Sequence, residues 1–217
     1  MFTPVAKILT RKLAERYSED RPAPIFDFAA TPVVVFTMSW KYTEKEVNTL
    51  YRLFKSSTAW STIQGTNVDR WFILDIKANA KQLYTTAVQV LGNVISMLHV
   101  MHPYHQYLTY GALKSDAQNS QQAMHTDYKD EITRGLQCHC MPVSVIITFR
   151  DASPLRYQDK AGKSIDLLVP PFSFVRFMVN VLHAGGVNDT DKPTYRLFLY
   201  CASNPGHIPI NNFYYDA

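Results

Sequence analysis

The sequence predicts an α+β chain in which an antiparallel sandwich or barrel of short strands is buttressed by helices that precede it. Three observations carry this expectation. The first half holds stretches whose apolar residues recur at helical spacing. The second half is a succession of short β-branched or aromatic stretches parted by turn residues, and no composition shift between the halves reads as a linker. A single domain over residues 1–217 follows, with a helical and strand support region at 1–103, a strand-rich core at 104–203 and a C-terminal tail at 204–217.

The N-terminal stretch "MFTPVAKILTRKLAERYSED" is amphipathic and basic, and it reads as a surface helix packing Val5, Leu9 and Leu13 on the body. It lacks the apolar centre of a secretory signal, and Glu15, Glu19 and Asp20 argue against an organelle transit peptide. "RPAPIFDFAATP" is an extended connector, because each proline fixes its own φ and disfavours helix in the residue before it. "PVVVFTM" reads as a buried strand. "TEKEVNTLYRLFKSS" opens on Thr43 with Glu46 three residues on, a capping box, and puts Val47, Leu50, Leu53 and Phe54 on one helical face. "RWFILDI" is the next strand. "NAKQLYTTAVQVLGNVISMLHVMH" spaces Leu83, Ala87, Leu91, Val94 and Leu98 as a helix, which Pro103 ends. The strands then come in quick order: "QYLTYGAL", "PVSVIITF", "LRYQD", "SIDLLVP", "SFVRFMVNVLH" and "TYRLFLYCA".

Bulk properties narrow the class. A hydrophobic fraction of 47% with 18% charged residues is that of an ordered globular chain. The formal net charge of +4 is mild, and with Lys and Arg scattered it gives no strong nucleic-acid signal. Three cysteines, Cys138, Cys140 and Cys201, are too few and too unevenly placed for a disulfide framework, so an intracellular, reducing compartment is expected, most simply the cytoplasm. No stretch approaches the roughly 18 apolar residues of a membrane span. The 13 tyrosines and the tail "NNFYYDA" offer a packing surface for a protein assembly partner.

The chemistry concentrates in the second half. In "QQAMHTDYKD", His125 and Asp127 stand two apart, and residues i and i+2 of an extended segment point to the same side. Another histidine, His183, stands in "VLHAGGVND", with enough chain between for several strands to leave and return to the same end of a barrel. Two histidines and one carboxylate leave about three of six octahedral positions open, the arrangement non-haem Fe(II) needs to take up an organic cosubstrate and O₂. Arg196 in "KPTYRLFLY" falls on the following strand, where a buried guanidinium needs a partner. A ligand carboxylate, gripped in bidentate fashion, would serve. Thr194, two residues earlier on the same face, adds a hydroxyl to that grip.

With "HTD" at His125 to Asp127, "LHAGGVND" around His183 and "TYRLF" around Arg196, the chain resembles the Fe(II)- and 2-oxoglutarate-dependent dioxygenases, whose core is a double-stranded β-helix (jelly roll). The approach "SQQAMHTD" and the turn "HAGGVN" look most like the phytanoyl-CoA-hydroxylase-like branch. The resemblance covers roughly residues 104 to 203. It implies iron held by His125, Asp127 and His183, and the distal carboxylate of 2-oxoglutarate held by Arg196. It also implies oxidative decarboxylation of 2-oxoglutarate with O₂ to succinate and CO₂, coupled to hydroxylation of an unidentified small-molecule or protein substrate. Independently of the resemblance, the spacing of Tyr104, Tyr107 and Tyr110 turns at least one of them to the cavity, and Tyr110, nearest the strand leading toward His125, is the expected second contact to 2-oxoglutarate. Where the alkylation-repair branch has a second arginine this chain has Ala202, and where prolyl hydroxylases use Lys as anion anchor it has Arg196. "VPPFSFVRF" replaces the Pro-Gly turn more usual before the second histidine.

Other conspicuous residues have plainer readings. His99, His102 and His105 in "HVMHPYH" are spread over too wide an arc for a zinc site, and Pro103 interrupts them. "QCHC" has no second ligand pair at zinc-finger spacing and reads as a strand edge. Arg150 and Arg156 read as surface turn residues. The rival to the enzyme is a structural or interaction protein that keeps the jelly roll, with a vestigial site, inside a larger assembly.

Overall fold

A computed structural model describes residues 33–37, 44–62, 70–102, 105, 107–128, 133–136, 140–203 and 214–215. The expected N-terminal helix and the proline-rich connector lie outside these residues. So do Cys138, His139 and Tyr104.

The helices form where the apolar period calls for them. The first, α1 (Glu44–Ser56), has Glu44 and Glu46 in its first turn and Lys55 in its last, which complements the helix dipole. It buries Val47, Leu50, Tyr51 and Phe54. Leu50 and Phe54 are fully covered, and burial of such side chains stabilises by roughly 1.5–3 kcal/mol each. A short turn, α2 (Ile76–Asn79), begins on the last residue of the expected strand "RWFILDI", and the stretch expected as one long helix follows it as α3 (Lys81–Met101). Asp75, in the left-handed region at φ 51°, caps α2 by accepting from the Ala78 N–H. The long helix α3 stops two residues before Pro103, burying Leu83, Ala87, Leu91, Val94 and Leu98 as the spacing predicts. Among the described residues no single helix is long and apolar enough to cross a membrane.

Among the described residues there are twelve strands: β1 (Val33–Thr37), β2 (Ser61–Thr62), β3 (Arg70–Ile73), β4 (Tyr107–Ser115), β5 (His125–Thr126), β6 (Val143–Ile147), β7 (Ser153–Gln158), β8 (Ser164–Val169), β9 (Ser173–Met178), β10 (His183–Gly185), β11 (Thr194–Ala202) and β12 (Tyr214–Tyr215). They make a seven-stranded sheet, β1-β9-β6-β11-β4-β3-β2, and a five-stranded sheet, β12-β5-β10-β7-β8. From β4 onward the chain passes back and forth between the two sheets, which is the double-stranded β-helix. "SFVRFMVNVLH" is therefore two strands: residues 179–182 turn out of the large sheet at the end of β9 and enter the small one as β10. "PVVVFTM" is an edge strand and not a buried one. Among the described residues it pairs with β9 alone, and Val35 stays exposed.

Period-2 alternation gives the large sheet two different faces. Tyr110, Ala112, Val143, Val145, Ile147, Tyr195, Leu197 and Leu199 pack against α1 and α3 in one apolar cluster. The alternate residues Ser144, Ile146, Arg196, Phe198 and Tyr200 face a cavity between the sheets. Gly111 lies directly across from Phe198, and a Cβ there would sit 1.9 Å from the ring, so only glycine lets that phenylalanine lie flat against β4.

Candidate metal and anion site

His125 and His183 are direct cross-strand partners on β5 and β10, so their side chains leave the sheet on the same face. Asp127, two residues past His125, turns to the same side. His183 Nε2 lies 3.5 Å and His125 Nε2 3.9 Å from Asp127 Oδ1. The imidazole centroids are 4.6 Å apart. Taking one ligand atom from each of the three buried residues, all lie within 4.8 Å of one another. Neighbouring ligands of an octahedral ion with bonds of about 2.1 Å are about 3.0 Å apart, so a small inward movement closes the set around one metal.

The protonation states suit ligation. His125 Nδ1 is 3.0 Å from the Ala123 carbonyl, and His183 Nδ1 is 2.9 Å from the Val181 carbonyl. A carbonyl can only accept, so each Nδ1 carries the proton and each Nε2 presents a lone pair to the cavity. Burial, and secondly His183, push the His125 pKa down to about 4, keeping that ring neutral near pH 7. The carboxylate is held as well: Ser144 Oγ donates to Asp127 Oδ2 over 2.7 Å, and the Tyr200 phenol is hydrogen-bonded to the same carboxylate. Burial, then the Asp127 charge, drives the Tyr200 pKa well up, so the phenol keeps its proton and donates it. Oδ1 is left facing the histidines.

Arg196 lines the same cavity, 7% exposed. Its Nη1 donates to Ser153 Oγ, its Nη2 reaches Ser115 Oγ at 3.5 Å, and its Nε is buried with no partner among the described residues. Burial, and secondly the nearby Arg70 charge, lower its pKa to about 9, so it remains a cation at neutral pH. The structure thus brings His125, Asp127, His183 and Arg196 to one cavity. Two other expected contacts are not there. Thr194 is buried at the head of β11, paired with Ser115, but is not among the cavity-lining residues. Tyr110 is a correction: it lies on the helix face of β4, edge-on to Tyr84 at 5.4 Å, because it alternates with Gly111 and Leu113 rather than sharing their side.

Sequence reasoning missed Arg70, Ser115, Gln122, Ser144 and Tyr200, all lining the cavity. Gln122 Oε1 accepts from the Gly185 N–H, tying the approach to His125 to the strand of His183. Ser144 and Tyr200 were findable in principle, since both stand on strands already expected, but nothing in the sequence marks them as facing a carboxylate. The remaining histidines sit elsewhere: His102 and His105 meet edge-on at 4.9 Å, and Arg176 Nε donates to His102 Nε2 over 3.1 Å. Arg156 forms a bidentate pair with Asp166 across the β7–β8 edge, and Arg150 is exposed over the Tyr51 ring.

No family model and no curated protein matches the chain. Solved structures do. SnoK, a non-heme alpha ketoglutarate (2-oxoglutarate) dependent carbocyclase from nogalamycin biosynthesis, superimposes with a TM-score of 0.64 at 11% identity over 87% of this chain and 85% of that one. A Trichoplax adhaerens prolyl hydroxylase, in complex with a hypoxia inducible factor oxygen degradation domain peptide, gives 0.61 at 9% identity over 94% of each chain. A Pseudomonas putida prolyl-4-hydroxylase gives 0.58 at 11% over 81% of this chain and 95% of that one. The chain therefore has the jelly-roll fold of the 2-oxoglutarate oxygenases. At these identities the likeness is one of fold, and the chemistry must be argued from the cavity.

Proposed function

We propose that the protein is an Fe(II)- and 2-oxoglutarate-dependent oxygenase that hydroxylates an as yet unidentified substrate. The observation that carries the reading is the facing of three ligand atoms, His125 Nε2, Asp127 Oδ1 and His183 Nε2, in a cavity that also holds the Arg196 guanidinium. Neutral imidazoles and a hard carboxylate oxygen suit ferrous iron, and the buried Arg196 Nε, lacking a partner, suits a carboxylate. Bound iron would supply the activation of O₂ that drives decarboxylation of the cosubstrate and oxidation of a C–H bond.

The chain's own residues do the rest. The backbone carbonyls of Ala123 and Val181 fix the imidazole tautomers, Ser144 and Tyr200 fix the carboxylate, and Arg196 orients the far end of a diacid whose near end reaches the three ligands. Phe177 and Phe198 line the cavity and exclude water. The phytanoyl-CoA-hydroxylase-like branch rests on the sequence around His125 and His183 alone. An intracellular, reducing compartment agrees with the free Cys140 and the buried Cys201.

The test is 2-oxoglutarate-dependent succinate formation by anaerobically reconstituted protein on admission of O₂, with or without a prime substrate. Arg196→Met should retain metal binding but lose 2-oxoglutarate affinity, at about 1.5–3 kcal/mol per charge-assisted hydrogen bond. Unchanged 2-oxoglutarate affinity in that variant would overturn the assignment of Arg196.

A further inference from the structure

A second guanidinium reaches the cavity from outside the jelly-roll core. Arg70 opens β3 opposite Ser115 of β4 and is 2% exposed. Its neighbours Trp71 and Ile73 alternate to the helix side, where Ile73 joins the apolar cluster and Lys114 lies over the Trp71 ring. Arg70 Nη1 donates to Ser115 Oγ over 3.1 Å, the same oxygen that Arg196 Nη2 reaches at 3.5 Å. A hydroxyl oxygen has two lone pairs, so with both engaged by arginine N–H groups the Ser115 proton is left to donate. The two cations flank Gly185: a Cβ there would lie 2.5 Å from Arg70 Nη1 and 3.2 Å from Arg196 Nη2. Glycine is the residue that lets both guanidiniums close on this backbone.

Donors without an acceptor gather around this point: Arg196 Nε and Asn119 Nδ2 are buried with no partner among the described residues, beside two guanidiniums and the Ser115 hydroxyl, while Asn119 Oδ1 accepts from Arg70 Nη2 at 3.4 Å. Among the described residues lining the cavity the single acid is Asp127, already engaged by Ser144 and Tyr200. Like charges this close repel, and an anion between them turns that repulsion into attraction. Arg70 is also anchored from behind, its Nη2 donating to the carbonyls of Ser120 at 2.8 Å, Gly185 at 3.2 Å and Gly186 at 2.6 Å. It therefore holds its position without help from the ligand.

We propose that Arg70 is the second cation of the Arg196 carboxylate site, a positioning residue that shares the Ser115 hydroxyl with Arg196 and strengthens the hold on one carboxylate of the diacid. The proposal rests on the reading of Arg196 as a carboxylate anchor but not on the metal. Glutarate, a five-carbon diacid with no 2-keto group for chelation, is the probe, titrated into metal-free protein by calorimetry with sodium chloride matching the ionic strength.

Wild type should bind glutarate. Arg70→Gln, which still donates hydrogen bonds but carries no charge, should bind it at least tenfold more weakly. Arg70→Lys should recover most of the loss, and Co(II) affinity should not fall in either variant. A purely structural clamp would instead weaken both variants alike, or neither, and either result overturns the proposal. Ser115→Ala, a small change that keeps the strand, should also weaken glutarate at least tenfold, and it decides the matter if Arg70→Gln does not fold. Wild type that binds Co(II) but not glutarate would sink this inference and leave the metal reading standing. Glutarate binding that depends on Arg70, in protein that takes up no metal, would do the reverse.

Discussion

Ser144→Ala isolates the role of the residues behind the proposed metal ligands. Ser144 Oγ donates to Asp127 Oδ2 over 2.7 Å, both groups are buried, and the acceptor is a carboxylate, so the bond is of the charge-assisted kind that contributes about 1.5–3 kcal/mol. The hydroxyl fixes Oδ2 and so keeps Oδ1 turned toward the histidines. Without it the carboxylate is held by Tyr200 alone and gains rotational freedom about χ2. Metal affinity should fall by about 10- to 100-fold, or about 1.4–2.7 kcal/mol. Anaerobic titration with Fe(II) or Co(II) measures this directly, and Tyr200→Phe with the double variant completes a cycle in which the two effects should be non-additive, since both donors act on one carboxylate. Unchanged metal affinity in Ser144→Ala would refute the reasoning. So would strict additivity in the cycle.

Asp127→Asn should abolish 2-oxoglutarate turnover and metal uptake while shifting the melting temperature by only a few degrees. The amide keeps an acceptor for Ser144, whereas Asp127→Ala would leave two buried hydroxyls without theirs, and a scaffold with a vestigial site would show no turnover in the wild type to lose. His102 tests the pH dependence of stability. Burial, then Arg176 and His105, lower its pKa to about 2, below the unfolded value near 6.5, so the unfolded chain binds the extra proton between those values. The stability held in its neutral form is complete above about pH 6.5 and is lost as pH falls toward 2. His102→Gln, which retains an acceptor for Arg176, should make urea-unfolding free energies between pH 6 and 4 fall less steeply, by up to about 1.4 kcal/mol per pH unit, and an identical slope would show that His102 does not titrate on unfolding.

The parts of the site legible in the sequence are those that depend on strand geometry alone. His125 and Asp127 share a side because residues two apart in extended chain do, and Arg196 is buried in a strand where a guanidinium needs an anion. Tyr110 failed on the same rule. In "QYLTYGAL" both faces of β4 are buried, so the apolar residues do not alternate with polar ones and nothing marks which parity meets helices and which meets the cavity. The same ambiguity hid the edge position of β1, whose run of valines reads as interior although Val35 is exposed. Arg70 was hidden for another reason. A cation at the first position of a strand is ordinarily at the solvent end, and here the segment carrying Ser120 and the end of β10 at Gly185 and Gly186, brought over it by tertiary structure, cover it.

The charge balance of the cavity gives a physical reason for these groups to lie together. Two guanidiniums, one carboxylate and Lys114, itself paired with Asp116, line it, an excess of positive charge in a space of low dielectric. A divalent cation alone would add to that excess and a dicarboxylate alone would offset it, but the two together bring no net charge. Each ligand therefore lowers the electrostatic cost of the other, and such coupling is reciprocal by thermodynamic necessity. The serines fit this arrangement. Ser115 and Ser153 hold the arginines without neutralising them, as an acid in their place would do, and Ser144 holds Asp127 without cancelling the charge that a metal requires. Hydroxyls that fix geometry while leaving charge intact keep the cavity charged for the proposed metal and diacid. This arrangement accounts for the polar side chains buried on the cavity face of the large sheet, Ser115, Ser144 and Arg196 among them.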